Sequence, residues 1–224
     1  MNENNKRAVD MLHGGIFKKL LYITVPIFLM STLQQLFNAS DTAVVGNFSS
    51  SEAMAAVGSN APVINMIVTF FTGLSVGSNV MLSHFIGKNE KEKVNDALHT
   101  SFSVALISGF IMLALGQVIA VPILKLLNTP SHILPMAQMY LRIYFLGMPF
   151  LMAYDFGSAV LRSIGDTRRP LYYLIISGSL NVVLNLFFVI VLHRNADGVA
   201  YATTISNGVS AFMILRALMR GKGL

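Results

Sequence analysis

The sequence predicts an all-α integral membrane protein, a bundle of six transmembrane helices. Composition gives the first reason: of 224 residues, 54% are hydrophobic and only 12% charged, whereas soluble domains carry roughly a quarter charged residues. Charge distribution gives the second, because the few charged residues are clumped and long runs between them contain almost none. Length gives the third, since six of these runs reach the roughly 20 residues that a helix needs to cross a hydrocarbon core of about 30 Å.

The first apolar run extends from about Leu20 to Val45, the second from Ala53 to Ser78, and the third from Ala97 to Leu124. The fourth extends from Ile133 to Gly157, the fifth from Leu171 to Leu192, and the sixth from Val199 to Met219. Residues 1–224 read as a single six-helix lobe with a polar tail over residues 1–15. No small-residue cleavage site follows a short apolar core, so the first helix reads as an uncleaved start-transfer segment.

Basic residues set the expected orientation. Lys6, Arg7, Lys18 and Lys19 precede the first run, and Lys88, Lys91 and Lys93 lie between the second and third. Arg162, Arg168 and Arg169 lie between the fourth and fifth, and Arg216, Arg220 and Lys222 close the chain. The opposite side has only Lys125 and Arg194, with Arg142 inside the fourth run. The positive-inside rule therefore places both termini in the cytoplasm, as an even number of spans requires. With no visible targeting peptide, the expected location is the plasma membrane, as a multi-pass protein of a bacterial inner membrane.

The same distribution argues against nucleic acid as a partner. The net charge of +6 comes mostly from short loops between spans and not from a basic surface. With no cysteine there is neither a disulfide framework nor a thiolate metal site. His13, His84, His99, His132 and His193 are scattered and form no paired-ligand spacing. Gly73-Leu74-Ser75-Val76-Gly77 is glycine-rich but lacks the lysine of a nucleotide loop. An enzyme is not expected, and no cofactor is implied.

Polar residues inside the spans carry the functional signal, because they are costly in lipid unless they face protein or water. Gln34, Asn38, Asp41 and Val45 fall on one stripe of the first helix, and Ser31 extends it inward. Asp41 lies roughly 30 Å along that helix. It either faces the bundle interior or sits solvated in the first outer loop. Asn181 and Asn185 are one turn apart on the fifth helix, with Ser177 on the same stripe, and the sixth helix supplies Thr203, Thr204, Ser206 and Asn207. Ordinary interhelical hydrogen bonding also accounts for these groups taken singly. Asp155 and Arg162 are expected to pair near the headgroups, and Arg142 to snorkel outward. Gly73, Ser75, Gly77 and Ser78, with Ser101, Ser103, Ser108 and Gly109, are expected to allow close helix packing. Thirteen methionines and fifteen phenylalanines suit either a deformable cavity for varied ligands or plain apolar packing.

Several segments together resemble the N-terminal lobe of the multidrug and toxic compound extrusion (MATE) family. They are Pro26 followed by Gln34 to Asn38 and Asp41 to Gly46, then Glu52 to Gly58, Gly73 to Gly77, Leu161 to Pro170, Asn181 to Asn185, and Gly198 to Thr203. Each is weakly specific, but their order and spacing cover nearly the whole chain. The resemblance implies one lobe of a twelve-helix architecture that exports drugs or amphipathic cations in exchange for protons or sodium ions. It also implies an ion-coupling cluster of Asp41, Asn181, Asn185 and Thr203, with Pro26 as a hinge and Gln34, Asn38 and Tyr144 as cavity-lining candidates. A desolvated carboxylate of this kind can be neutralised by a proton or by a sodium ion, and either event could bias the bend at Pro26. Many relatives carry aspartate where this chain has Asn185, an amide that can ligate sodium but cannot titrate.

The family has two such lobes and this chain has one. It is expected to be a fragment, a split half with a separate partner chain, or a half that pairs with itself as a homodimer. Its other expected partners are the lipid bilayer and a small amphipathic or cationic substrate. Alternative functions are a lipid-linked precursor flippase and a non-transporting partner subunit of a full transporter. A flippase would be favoured by an intramembrane basic cluster, and Arg142 stands nearly alone.

Overall fold

The computed structural model describes residues 16–220, which form seven α-helices. They are α1 (Ile16–Phe48), α2 (Ser51–Gly87), α3 (Lys91–Leu126), α4 (Leu134–Leu146), α5 (Met148–Ser163), α6 (Arg168–Leu186) and α7 (Ala196–Arg220). One π-helical turn, Phe187–Val191, continues α6. Five helices are each long and apolar enough to cross a membrane, and α4 with α5 makes a sixth span bent by 46°. All six expected spans are present, and each runs past its predicted edge at one or both ends. Hydropathy marks only the apolar part of a helix, while backbone hydrogen bonding continues into its polar ends. The 37 residues of α2 measure about 55 Å, well beyond the roughly 30 Å of hydrocarbon.

Local chemistry sets the corners. Ser50 caps α2 by accepting from the Ala53 amide at 3.1 Å, and Glu52 follows in the first turn, where a negative charge meets the helix dipole favourably. Between α2 and α3, Asn89 takes a left-handed conformation with φ of 57°, which asparagine tolerates better than most residues. At the end of α5, Gly165 adopts φ of 81°, and the Asp166 amide donates back to the Leu161 carbonyl at 2.9 Å. Asp166 then accepts from the Arg169 amide at 3.1 Å and pairs with the Arg169 Nε at 2.9 Å, starting α6.

The bend between α4 and α5 has a specific cause. The Gly147 amide donates to Tyr144 at 2.9 Å, and Pro149 has no amide proton to give the Phe145 carbonyl. The Ile143 carbonyl is thereby released, and Thr204 of α7 donates its hydroxyl to it at 3.1 Å. A side chain at Gly147 would meet that same hydroxyl at 3.1 Å, so glycine allows α7 to approach.

Nearly every residue of α5 is buried, and it sits at the centre with α2, α3 and α7 around it. Gly109 of α3 lets the Pro149 backbone come close, and Gly116 accommodates the Phe145 ring. On the flank, α6 packs against α7 and carries α1 on its other side, with the Phe37 ring lying over Gly178. Most of α1 is otherwise open, including Phe28 at 67% exposed.

Two expectations about packing need correction. A side chain placed at Gly73 or Gly77 would touch nothing within 4 Å, so these glycines do not mediate packing within the lobe. Asp155 and Arg162 lie within electrostatic reach of each other but do not close to an ion pair, unlike Lys93 with Glu90, Arg169 with Asp166, and Arg194 with Asp197. Asp155 is instead buried and accepts from the Thr72 hydroxyl at 3.2 Å, because α2 packs along α5 and covers it.

Candidate functional site

Because α1 continues unbroken to Phe48, Asp41 is helical and cannot be a loop residue. It is 7% exposed, Asn181 is 5% exposed and Asn185 is fully enclosed. The i, i+4 spacing of the two asparagines sets them one above the other on α6, facing α1. Thr203 lies in the second turn of α7.

These four side chains make one closed network. The Asn185 Nδ2 donates to Asp41 Oδ1 and also reaches Asn181 Oδ1 at 3.2 Å. The Asn181 Nδ2 donates to Thr203 Oγ1 at 3.2 Å. The Thr203 hydroxyl lies 3.0 Å from the Val199 carbonyl and 3.4 Å from Asp41 Oδ2. It has one proton and can fully serve only one of them.

Two features of the network are unbalanced. Among the described residues no lysine or arginine pairs with Asp41. The Asn185 Oδ1 is buried without a hydrogen-bond partner. Buried carboxylates are normally paired, and buried carbonyl oxygens normally find a donor. A carboxylate, two amide oxygens and a hydroxyl are all hard oxygen donors, the kind that hold hard cations. The residues present therefore fit a small hard cation or a proton better than a soft metal ion.

The cavity-lining candidates divide. Gln34 and Asn38 are exposed, although they share a helical stripe with the buried Asp41 and Val45. The stripe is buried only where α1 meets α6 and opens inward from there. Tyr144 is half-buried, stacks on Tyr140 with centroids 6.3 Å apart, and lies within electrostatic reach of Asp41. Pro26 is buried within α1 and leaves the Tyr22 carbonyl without its helical donor.

Sequence reasoning missed Tyr140, Asn60 and the Asp155–Thr72 contact. Asn60 donates to the carbonyls of Ala56 at 2.8 Å and Ala137 at 3.0 Å, fastening α2 to α4. Its signal was an amide within a mostly apolar run, which also holds Asn65. Tyr140 had none, since an aromatic residue in a span usually reads as packing.

Comparison with known proteins identifies the family and the fold. The MatE family model matches residues 26–187. The chain is 32% identical over 206 residues to "Probable multidrug resistance protein YpnP" of Bacillus subtilis, covering 91% of this chain and 46% of that protein. It is 27% identical over 209 residues to "Probable multidrug resistance protein NorM" of Thermotoga maritima, covering 92% and 45%. A crystal structure of MATE in the bent conformation superposes with a TM-score of 0.90 at 24% identity, covering 97% of this chain and 49% of that one. The chain spans about half the length of the curated relatives it matches. With the family model covering most of its length and a homologue above 30% identity, this chain belongs to the MatE family and carries one lobe of the MATE fold.

Proposed function

We propose that the chain is one lobe of a cation-coupled antiporter that exports drugs and amphipathic cations, completed by a second lobe. The observation that carries this reading is the Asp41 carboxylate, buried without a basic partner in a cage of amide and hydroxyl groups. A proton or sodium ion supplies the missing positive charge, and the orphaned Asn185 oxygen gives sodium a further ligand. Asp41, Asn181, Asn185 and Thr203 are the coupling residues in this reading. The relatives named as multidrug resistance proteins support the substrate class. A second copy or a separate partner chain would cover the open face of α1, where Gln34 and Asn38 are exposed. Both termini lie in the cytoplasm of a bacterial inner membrane, as the basic loops imply.

The test is flux. The purified chain, alone and fused to the second half of a relative, is reconstituted in liposomes under an imposed sodium or proton gradient. Uptake of a fluorescent cationic dye that requires the gradient and is lost in Asp41→Asn supports the reading. Gradient-driven uptake that persists in Asp41→Asn refutes the coupling role.

A further inference from the structure

We propose that Arg142 anchors the phosphate of an anionic phospholipid on α4 beside α3, apart from the Asp41 cluster. Arg142 lies eight residues into α4, about 12 Å from its first residue and so within the span. Its side chain is half-buried, and its Nε is enclosed with no hydrogen-bond partner. Among the described residues no carboxylate pairs with it. Two amides flank it. The Gln117 Nε2 on α3 donates to the Arg142 carbonyl at 3.0 Å. The Gln138 oxygen, with the amide oriented to satisfy both groups, accepts from the Arg142 Nη1 at 3.1 Å and Nη2 at 3.3 Å.

This arrangement holds the guanidinium without neutralising it. A guanidinium has five N–H donors, and a neutral glutamine oxygen engages only some of them. An unpaired positive charge in a bilayer is costly, so a counter-anion is required. Met139 and Leu146, at 49% and 45% exposed, bracket Arg142 on the open side of α4. Tyr140 and Tyr144, which feel the Asp41 charge, project from a different face of the helix. Arg142 therefore lies beside exposed apolar side chains that suit acyl chains, and away from the ion cluster. A lipid phosphate reached from the membrane accepts from the Nη N–H groups that Gln138 leaves free, a charge-assisted contact. Its acyl chains then cover the exposed methionine and leucine.

The test counts retained lipid. The full chain is extracted from mixed phosphatidylglycerol and phosphatidylcholine membranes and examined by native mass spectrometry. Arg142→Gln and Lys88→Gln are compared with the wild type, the latter an exposed charge in the turn between α2 and α3. The wild type is expected to retain one phosphatidylglycerol in about tenfold preference to phosphatidylcholine, the scale of one charge-assisted hydrogen bond. Arg142→Gln should lose that preference and Lys88→Gln should keep it. Equal retention of the two lipids by the wild type overturns the proposal without recourse to any variant. An unchanged preference in Arg142→Gln overturns it as well. Displacement of the bound lipid by inorganic phosphate at matched concentration would mean a soluble-anion site and would also overturn it.

Discussion

Replacing Asp41 by asparagine removes the one formal charge of the cluster while nearly preserving its shape. In the wild type, one N–H from Asn185 and one shared O–H from Thr203 face the carboxylate. Two such donors do not offset the burial of an ion, which costs several kcal/mol even after relaxation. In the proposed antiporter a bound sodium ion would supply what is missing, and the folded state would gain by mass action. At a hundredfold excess over the dissociation constant that gain is about 2.7 kcal/mol, or roughly 5–10 °C in Tm for a chain of this size. The chain has neither tryptophan nor cysteine, so melting is best followed by far-ultraviolet circular dichroism, with potassium replacing sodium as the control. The wild type should show the sodium shift and Asp41→Asn should lose most of it. Gln34→Ala, exposed and outside the network, should retain it. A full sodium shift in Asp41→Asn would refute the assignment, because the neutral cage or another site would then hold the ion.

Asn185→Asp places a second carboxylate against Asp41, and two such groups cannot both stay charged in a dry site without a cation between them. Sodium-dependent stabilisation should grow, and the variant should melt below wild type when sodium is absent, both read by the same melting assay. Thr204→Val deletes the hydroxyl that serves the freed Ile143 carbonyl at nearly constant volume. The expected cost is about 1–3 kcal/mol for an unsatisfied buried acceptor, seen as a lower Tm with the sodium shift intact. Gly178→Val drives a side chain into the Phe37 ring and should cost roughly 1–3 kcal/mol by overpacking. Adding Phe37→Leu should recover part of that loss, and a double variant no better than the single one would refute the contact.

The six spans were legible because lipid imposes one rule on every residue that faces it, and hydropathy records that rule directly. The Asn181–Asn185 pair was legible from its spacing, since residues four apart on a helix must share a face. Joining that pair to Asp41 and Thr203 needed the family resemblance, because the partners lie 144 and 162 residues apart along the chain and no local pattern links them. The same limit hid the hydrogen bond at Asp155, whose partner Thr72 is 83 residues away. Its position near a helix end suggested the headgroups, whereas packing of α2 on α5 decided the outcome. The bend in the fourth span was marked by Gly147-Met148-Pro149, but the apolar run crosses it without interruption. The π turn at Phe187–Val191 left no trace, since its five residues are as apolar as their neighbours.

The way α1 is held bears most directly on how an ion could move the lobe. Near one end, Asp41 is tied to α6 through Asn185, and just beyond the helix the Ser49 hydroxyl donates to the Asn195 oxygen at 2.9 Å. Near the other, the Arg168 guanidinium stacks over the Tyr22 ring at 4.5 Å, a contact of about 0.5–2 kcal/mol. Pro26 lies between these attachments and removes one backbone hydrogen bond from the helix. Between them α1 exposes Gln34, Gln35 and Asn38 on one face and packs Met30, Leu33 and Phe37 into an apolar cluster with residues of α5, α6 and α7 on the other. A helix tied at its ends and weakened at Pro26 responds to a change in the strength of those ties. Neutralising Asp41 weakens its charge-assisted bond to Asn185 by roughly half, whereas the Tyr22–Arg168 and Ser49–Asn195 contacts are unaffected. In the proposed antiporter, ion occupancy therefore acts on one attachment of α1 alone, and Pro26 is where the helix can yield.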